Sequence, residues 1–340
     1  MNLASPKLVG ITQGENVPST RFRWSQYVDD LKNYGFEVSE LGSSFGAYAP
    51  SLRISRPAWL VGSMAEGLVR TMRANRYDLR FLQRNLTATL CTWELALRKP
   101  FVFDVDDAIF LGSRGASADR IVRAASLTIC GNNFLADHFS LHGPVAVLPT
   151  AVDTSRFVPR SGPLSSRPII GWSGSSSGLK YLYGIEPAIK KLLLKFPDII
   201  FKVVSDKAPI FTTLPISQVL YEPWCEEREV AVLHEFTVGI MPLEDDLWSR
   251  GKCSFKMLTY MAAGLPVVVS PVGMNVEIMD RGDHGFAAKT PDDWIDAISS
   301  LLSKPTLAEQ MGQVGRQIVE THYSRNVVAP KLAQLLKAQL

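Results

Sequence analysis

The stretch TVGIMPLEDDLWSRGKCSFKMLTYMAAGLPVVVSPVGMNVE, residues 237–277, decides the fold. Residues 238–241 form a short apolar run, and residues 266–269 are apolar and mostly β-branched, as in a strand that is buried on both faces. Between these runs, three apolar residues recur at helical spacing: Phe255, Leu258 and Ala262. Gly264 follows where a helix takes a left-handed C-cap. The pattern predicts a βαβ unit whose two strands are parallel.

Basic residues surround the start of the predicted helix: Arg250, Lys252 and Lys256. The first turn of a helix has unpaired backbone N–H groups and the positive end of the helix dipole, so anions bind there. Cations beside such a helix start predict an anion site, and phosphate is the anion that we expect.

Length and composition are those of a globular protein with two domains. The chain has 340 residues, of which 46% are hydrophobic and 20% are charged. The net charge of +3 is too small to predict a nucleic-acid partner. The four cysteines have neither metal-ligand spacing nor a disulfide-dense pattern, which favours a reducing compartment.

The sequence has no signal-peptide pattern and no apolar run near the ~20 residues that a membrane span needs. We therefore expect a cytoplasmic protein that is soluble or attached peripherally to the inner face of the membrane.

Positive charge is concentrated between residues 50 and 100, where nine basic residues stand against three acidic ones. Arg70, Arg73 and Arg76 repeat every three residues, which predicts that one helical face is basic. Two interpretations remain open. The face is solvated, or it binds an anionic membrane surface or a phosphate-bearing acceptor.

Strand and helix patterns alternate through the first half of the chain, which predicts a doubly wound α/β domain with ligands at the carboxyl ends of its strands. The predicted strands are 7–12, 36–41, 77–83, 101–105, 125–130 and 145–148, and the predicted helices are 24–34, 87–97 and 132–142. Residues 159–168 are rich in Pro, Ser and Gly and predict a linker. We place the domains at 1–160 and 161–322, followed by a helical segment at 323–340.

Three carboxylates lie at one predicted strand end, in the sequence FDVDDAIF. Because side chains alternate along a strand, Asp104 and Asp106 would point to one side and Asp107 to the other. One interpretation is a turn or a helix cap, where carboxylates are common. Another is a divalent-cation site, since Asp-x-Asp binds Mg²⁺ or Mn²⁺ through oxygen.

Residues 240–279, IMPLEDDLWSRGKCSFKMLTYMAAGLPVVVSPVGMNVEIM, resemble the donor-binding segment of family-4 glycosyltransferases. They are most similar to a subgroup with the pattern RGKCxFKxLxYMAxGLPVV. The resemblance implies an α/β fold of the GT-B type, with two Rossmann-like doubly wound domains that face each other across a cleft. It also implies that residues 323–340 form a helix that packs back on the first domain.

The resemblance implies an enzyme that transfers a sugar from a nucleotide-sugar donor with retention of configuration. The second domain would bind this donor, and the first would bind a glycan or lipid-linked acceptor, as in polysaccharide biosynthesis. No tight metal and no other cofactor are expected.

Candidate residues for binding the donor diphosphate follow from the same resemblance: Gly174, Ser175, Lys180, Arg250, Lys252, Cys253 and Lys256. The small residues of SGSSSG, residues 173–178, let backbone amides approach a diphosphate, although the loop also fits a flexible turn. In the resembling loop, a phosphate-binding lysine follows the glycine by six residues, as Lys180 follows Gly174. The family's arginine after that glycine is Ser175 here.

Lys252 and Asp106 are the predicted catalytic residues. Negative charge grows on the diphosphate as the sugar leaves, and Lys252 would stabilise it together with Arg250, Lys180 and the helix N-terminus. Asp106 matches the position at which many family members have a histidine that contacts the donor sugar.

The resemblance also assigns roles to other positions, and for some of them a second interpretation remains open. Trp224 would stack on the base, or it is a core residue. The family's Glu-x7-Glu pair falls on Gly251 and Thr259, so Thr259 stands at the ribose position and neither residue is acidic. The nearest acids for the donor sugar are Asp245, Asp246 and Glu277. Arg21 and Arg23 would lie on the acceptor side, or they are solvated arginines at a helix start.

His138 and His142 share a predicted helix at i, i+4, but the sequence indicates no third metal ligand, and surface or packing roles are favoured. We therefore predict no metal site. Two rival functions remain open. One is a nucleotide-sugar epimerase of the GT-B fold, and the other is a scaffold without catalysis. An oxidoreductase is disfavoured, because neither half contains the G-x-G-x-x-G pattern.

Overall fold

The computed structural model describes residues 5–15, 17–46, 49–112, 114–162 and 167–340, which form two α/β units. The first unit comprises Met1–Ala151, Arg250–Cys253 and Arg325–Leu340, and the second comprises Val152–Ser249 and Ser254–Ser324. Each unit has an apolar core of its own.

In the described part of the first unit, six parallel strands form one sheet in the order β2-β1-β3-β4-β5-β6. The strands are β1 (Lys7–Thr12), β2 (Glu37–Gly42), β3 (Leu79–Gln83), β4 (Phe101–Val105), β5 (Leu127–Cys130) and β6 (Val145–Val147). The helices around it are α1 (Pro18–Arg23), α2 (Val28–Asn33), α3 (Arg56–Ala74), α4 (Ala116–Ala124) and α5 (Asn133–Ser140). The strand order reverses between β1 and β3, so their carboxyl ends mark the position where such sheets bind ligands.

The second unit repeats this plan within residues 167–340, where six parallel strands take the order β12-β11-β10-β7-β8-β9. They are β7 (Ile169–Ser173), β8 (Ile200–Ser205), β9 (Val219–Pro223), β10 (Val238–Met241), β11 (Val267–Val269) and β12 (Gly285–Ala287). Eight helices in this range connect them: α6 (Leu179–Gly184), α7 (Glu186–Lys195), α8 (Glu229–Glu235), α9 (Leu247–Arg250), α10 (Phe255–Ala262), α11 (Met274–Met279), α12 (Pro291–Ser303) and α13 (Pro305–Ile318). Here the order reverses between β7 and β10, which sets the ligand position of this sheet.

The predicted βαβ unit is confirmed. β10 and β11 pair in parallel, and Leu258 and Ala262 of α10 are fully buried. Gly264 has φ +72° and donates its N–H to the carbonyl of Met261 at 3.0 Å, while Leu265 donates to Tyr260 at 3.0 Å. These two hydrogen bonds form a Schellman motif, which satisfies carbonyls that the end of the helix would leave unpaired.

Three predicted helices are wrong in extent. Residues 24–34 contain a 3₁₀ turn, Ser25–Tyr27, before α2 begins. Residues 87–97 contain an isolated bridge between Thr87 and Leu90 and a 3₁₀ turn at Glu94–Ala96 in place of an α-helix. The apolar pattern after residue 178 also predicts one helix over residues 179–196. These residues divide into α6 and α7 because Pro187, near the start of α7, has no N–H with which to continue α6.

The last helix, α14 (Arg325–Lys337), belongs to the first unit. Its buried face packs in one core cluster with Trp24, Tyr27 and Leu31, and consists of Val328, Ala329, Leu332, Ala333 and Leu336. The chain changes unit after Ala151, where the N–H of Val152 donates to the carbonyl of Tyr323 at 2.9 Å within the second unit. Residues 163–166 of the predicted linker lie outside the described residues, and the ranges 1–160, 161–322 and 323–340 stay predictions of where independent domains end.

The prediction that Arg70, Arg73 and Arg76 share one basic face is wrong for Arg70, whereas Arg73 and Arg76 are exposed. Arg70 is only 4% exposed, and its guanidinium donates to the carbonyls of Leu41 and Thr12. Arg80 is also buried and donates to backbone carbonyls around the end of α3. Burial of a guanidinium requires such acceptors, so these two arginines hold the first unit together. None of the helices among the described residues has the length and apolar character that a membrane crossing requires.

Candidate functional site

The carboxylates at the end of β4 have separate partners. Asp104 and Arg23 form a buried ion pair, with side chains only 1% and 2% exposed, and Arg23 also donates to the carbonyl of Leu148 at 2.7 Å. Burial would lower the pKa of Arg23, but attraction and hydrogen bonding to Asp104 raise it. Burial raises the pKa of Asp104, and the attraction and hydrogen bonds of Arg23 oppose that rise. The acceptor-side role predicted for Arg23 does not fit this burial. Arg23 ties β4 to the end of β6.

Asp106 and Asp107 share one cation, Arg84. Its Nε donates to Asp106 Oδ1 at 2.7 Å, and its Nη2 donates to Asp107 Oδ2. Lys252 Nζ lies 3.8 Å from Asp107 Oδ1. We call Arg84, Asp106, Asp107 and Lys252 the Asp106 cluster. The predicted alternation is wrong for Asp106 and Asp107, because β4 ends at Val105 and the two carboxylates turn to the same guanidinium.

The charges of the Asp106 cluster determine whether it can bind a cation. Burial would raise the pKa of Asp106, but attraction to Arg84 and further hydrogen bonds lower it below its usual value, so Asp106 is ionised at neutral pH. Arg84 and Lys252 add two positive charges beside the two carboxylates. This balance disfavours the divalent-cation interpretation of Asp-x-Asp, because the carboxylates already have cationic partners.

Hydrogen bonds hold residues 250–253 in the first unit. Asn132 caps the N-terminus of α5 with its side-chain oxygen, and its Nδ2 donates to the carbonyls of Arg250 at 3.2 Å and Lys252 at 3.0 Å. The thiol of Cys253 donates to the carbonyl of Asp106 at 3.2 Å. Burial raises the pKa of this thiol, so it stays protonated. The thiol of Cys253 is therefore engaged with the backbone of Asp106, and its predicted diphosphate contact stays a prediction.

In the second unit, the loop of residues 173–178 follows β7 where the sheet order reverses. We call it the Gly174 loop. The N–H of Gly174 donates to the carbonyl of Val204 at 3.0 Å, and Ser173 N donates to the hydroxyl of Tyr260 at 2.9 Å. Asp206, after β8, accepts from Ser176 N at 2.6 Å and from Ser176 Oγ at 2.8 Å. Burial opposes ionisation of Asp206, but these hydrogen bonds lower its pKa. These hydrogen bonds fix the loop at its start and in its middle.

The side chain of Lys256 packs against the Gly174 loop. A Cβ atom placed on Gly174 would lie 2.1 Å from Lys256 Cε and 3.0 Å from Lys256 Nζ. The same ammonium lies 5.5 Å from the centroid of the Trp172 ring. Lys256 is in the first turn of α10, so its charge adds to the positive end of that helix. Of the predicted phosphate ligands, Gly174 and Lys256 are brought together.

Lys180 is not part of that contact. It is exposed, with its ammonium 4.7 Å from the Tyr181 ring centroid, and lines a cavity of about 470 Å³ together with Ser176, Ser177 and Lys207. Ser175 is also exposed, and its hydroxyl is 2.8 Å from that of Ser177. The two lysines and two serines make a second polar region beside the Gly174 loop.

Residues 168–304, which include the Gly174 loop, match the family described as Glycosyl transferases group 1. A shorter stretch of 75 residues is 32% identical to spore coat protein SA of Bacillus subtilis (strain 168), and covers 21% of this chain and 20% of that protein. The match thus spans about a fifth of the curated relative.

Solved structures show the fold. Sucrose-phosphate synthase from Thermosynechococcus elongatus aligns with a TM-score of 0.73 at 15% identity, over 98% of both chains. Anabaena HepE in complex with UDP-glucose aligns with a TM-score of 0.72 at 13% identity, over 98% of this chain and 100% of that one. The chain has the GT-B fold, and the predicted fold class, α/β with two Rossmann-like units, is confirmed.

The remaining predicted positions differ in exposure. Trp224 is 36% exposed directly after β9, so the alternative of a core residue is wrong. Thr259 is 7% exposed and donates its hydroxyl to the carbonyl of Lys256 at 2.8 Å, which does not fit a ribose contact.

The acids assigned to the donor sugar are exposed or half-buried: Asp245, Asp246 and Glu277. Asp246 accepts from Ser249 N at 2.6 Å, in the first turn of α9, and Arg21 is half-buried with its guanidinium over the Phe22 ring.

Sequence patterns missed four residues that position the site: Arg84, Asn132, Asp206 and Tyr260. Asn132 and Asp206 each follow a strand end, which is a signal that could have been used. Arg84 also follows a strand end, that of β3, and it has φ +58°, in a region that non-glycine residues rarely adopt. Such local strain is often found at functional sites.

Proposed function

We propose that this protein is a retaining glycosyltransferase of family 4, which transfers a sugar from a nucleotide-diphosphate donor to a glycan or lipid-linked acceptor. The observation that carries the proposal is the approach of Lys256 to the Gly174 loop at the strand-order reversal of the second sheet. It lies within the range that matches the glycosyltransferase family. The structural neighbour HepE was solved with UDP, with UDP and glucose, and with UDP-glucose.

Lys256 and the Gly174 loop would bind the diphosphate of the donor. The missing side chain at Gly174 lets the end of Lys256 approach the loop, where its ammonium would supply a charge-assisted contact to a phosphate. The N-terminus of α10 adds partial positive charge. Trp224, exposed directly after β9, two strands along the sheet from β7, supplies a face on which a base could stack. Lys180 and Lys207 would contribute longer-range attraction.

The Asp106 cluster would act on the sugar and the leaving group. Asp106 is ionised, so it can accept hydrogen bonds from sugar hydroxyls and stabilise positive charge on the reacting carbon. A donor phosphate would compete with Asp107 for Lys252, whose ammonium is 3.8 Å from that carboxylate. Transfer of Lys252 from Asp107 to the departing diphosphate would offset the charge that grows there. The proposal includes no tight metal and no other cofactor.

The test is binding and turnover with a panel of nucleotides and nucleotide sugars. Calorimetry should show binding of at least one nucleoside diphosphate, weakened by Lys256→Met and unchanged by the exposed-site control Lys289→Met. Transfer to an acceptor should then release that nucleotide, and NMR of the product should show the anomeric configuration of the donor. A changed sugar without acceptor would favour the epimerase, and binding without any transfer would favour the scaffold. Failure of every nucleoside diphosphate to bind contradicts the proposal.

We further propose that the first unit binds an anionic membrane surface, on the cytoplasmic side, through the outer face of α3. Apolar residues at helical spacing are exposed along this helix: Val61 (69%), Leu68 (37%), Val69 (52%) and Met72 (63%). Exposed arginines flank them: Arg53, Arg56, Arg73 and Arg76. An apolar stripe bordered by cations is typical of helices that lie in a membrane interface.

Vesicle sedimentation tests the membrane proposal. Binding should be stronger to vesicles with anionic lipid than to neutral ones, and Met72→Glu should reduce it. Leu194→Glu, at a site 68% exposed on α7, is the matched control and should leave it unchanged. Equal binding by the Met72 variant would contradict the role of α3.

A further inference from the structure

We propose that Asp119, His138 and His142 form a binding site for a divalent transition metal, with Zn²⁺ as the ion that their chemistry favours. Asp119 is on α4, His138 is on α5, and His142 lies two residues beyond the end of α5. None of the three belongs to the Asp106 cluster or to the Gly174 loop. Asp119 supplies the third ligand that the histidine spacing alone does not indicate.

The three side chains converge on one point. His138 Nε2 lies 2.9 Å from Asp119 Oδ1, and His142 Nε2 lies 3.5 Å from the same oxygen. All the possible ligand atoms lie within 4.8 Å of one another. In a tetrahedral site with metal–ligand bonds of about 2.0–2.2 Å, neighbouring ligand atoms are about 3.3–3.6 Å apart. Side-chain shifts of about 1 Å would therefore complete the metal geometry.

The ligand set selects the metal. Two imidazoles and one carboxylate are typical of Zn²⁺ sites that keep a fourth position for water, whereas Mg²⁺ and Ca²⁺ favour all-oxygen ligands. The side chains are 28%, 18% and 18% exposed, for His138, His142 and Asp119, so an ion could enter from solvent.

Aromatic rings fix the orientation of His138. Phe110 stacks on its ring with centroids 3.6 Å apart and planes 10° apart, and Phe139 contacts it edge-on at 5.0 Å. Pre-orientation of a ligand lowers the conformational entropy that metal binding would otherwise cost. Phe110 is three residues after Asp107, so a metal at His138 would also restrain the segment that carries the Asp106 cluster.

Arg123 opposes metal binding by His142. Its Nη2 lies 3.1 Å from His142 Nδ1, and because a guanidinium only donates, Nδ1 must accept there. The neutral ring then has its proton on Nε2, where it points to Asp119. Metal binding needs the other tautomer, with the metal on Nε2 and the proton on Nδ1. Arg123 must then turn away from Nδ1. We therefore infer that Arg123 weakens binding.

The experiment is titration of the full chain with Zn²⁺ against a chelating indicator. We expect one ion per chain, and at least a tenfold loss of affinity in His138→Ala, in His142→Ala and in Asp119→Ala. His322→Ala, at an exposed histidine on the second unit, should bind as the wild type does. Circular dichroism confirms that each variant is folded. Absence of Zn²⁺ binding, or affinity unchanged in the ligand variants, overturns the site.

Two further measurements separate this site from the alternatives. Arg123→Gln replaces a donor with an amide whose oxygen can accept from Nδ1–H, so it should bind about tenfold more tightly, the lower end of the effect of second-layer partners. Unchanged or weaker binding by this variant overturns the tautomer argument. Co²⁺ in the site should give the visible spectrum of nitrogen and oxygen ligands. A thiolate charge-transfer band would instead assign the metal to the free cysteines, of which Cys225 is exposed, and would overturn the proposal.

Discussion

Gly174→Ala is the sharpest test of how the donor is bound. The added Cβ would lie 2.1 Å from Lys256 Cε and 2.9 Å from Trp172 Cζ2, whereas carbon atoms in contact are about 3.5–4.0 Å apart. The lysine end must therefore move by about 1.5 Å or more, because the backbone of the loop is held by the hydrogen bonds of Ser173 and Gly174.

The substitution should affect both binding and stability. The displaced end of Lys256 is flexible, but the Trp172 ring is buried, so we expect overpacking to lower the free energy of unfolding by about 1–3 kcal/mol. Loss of a hydrogen bond to a charged phosphate costs about 1.5–3 kcal/mol, which corresponds to roughly 10- to 100-fold in Kd. Calorimetry with the nucleoside diphosphate that binds the wild type measures this change.

Gly184→Ala is the matched control. It makes the same substitution ten residues along the chain, where an added Cβ meets nothing within 4 Å. At such a position alanine should stabilise the protein by about 0.4–1 kcal/mol and leave Kd unchanged. If Gly174→Ala and Gly184→Ala bind the nucleotide equally well, the diphosphate does not lie between Gly174 and Lys256, and the reasoning is refuted.

Two other substitutions address the Asp106 cluster. Lys252→Ala should lower kcat by roughly 10²-fold or more, the scale of one lost charge-stabilising donor, and near-normal turnover would remove Lys252 from this role. Arg84→Met should move the acid limb of the kcat/KM profile to higher pH. Burial raises the pKa of Asp106, and in the wild type the attraction of Arg84 lowers this pKa, so Asp106 stays ionised as the pH falls. Without Arg84, burial would raise the pKa of Asp106. Arg98→Met, at an exposed site, should leave the profile unchanged, and an unshifted limb in Arg84→Met would show that Asp106 does not control it.

Periodic features of the sequence were enough to predict the second sheet at its centre. The apolar run of β10, the helical spacing of α10 and the glycine that ends it all depend on neighbours close in sequence. Such local signals determine element type, and parallel pairing follows from the βαβ connection. The family resemblance of α10 and of the Gly174 loop placed Lys256 and Gly174 in one site, and the structure brings them together.

The features that could not be predicted from the sequence depend on partners that are distant along the chain. Arg70 and Arg73 have the same charge and neighbouring positions on α3, yet Arg70 is buried because the carbonyls of Leu41 and Thr12 accept from it. Similarly, Arg23 was assigned to an acceptor because the pairing with Asp104, 81 residues away, leaves no local pattern. Asp119 was missed as a partner of His138 for the same reason, since it lies 19 residues away on another helix.

The cations near residue 252 show where periodicity fails. Lys252 and Lys256 are spaced at i, i+4, which on one continuous helix would place them on one face. Ser254 between them has φ +51°, so no helix passes through it, and the chain changes unit between Cys253 and Ser254. Lys252 then belongs with the Asp106 cluster, and Lys256 with the Gly174 loop. Two lysines with different partners should give different kinetic defects. Loss of Lys256 should mainly raise Kd and KM for the donor, and loss of Lys252 should mainly lower kcat. Equal defects in both parameters for both variants would mean that the two cations act on the donor as one group.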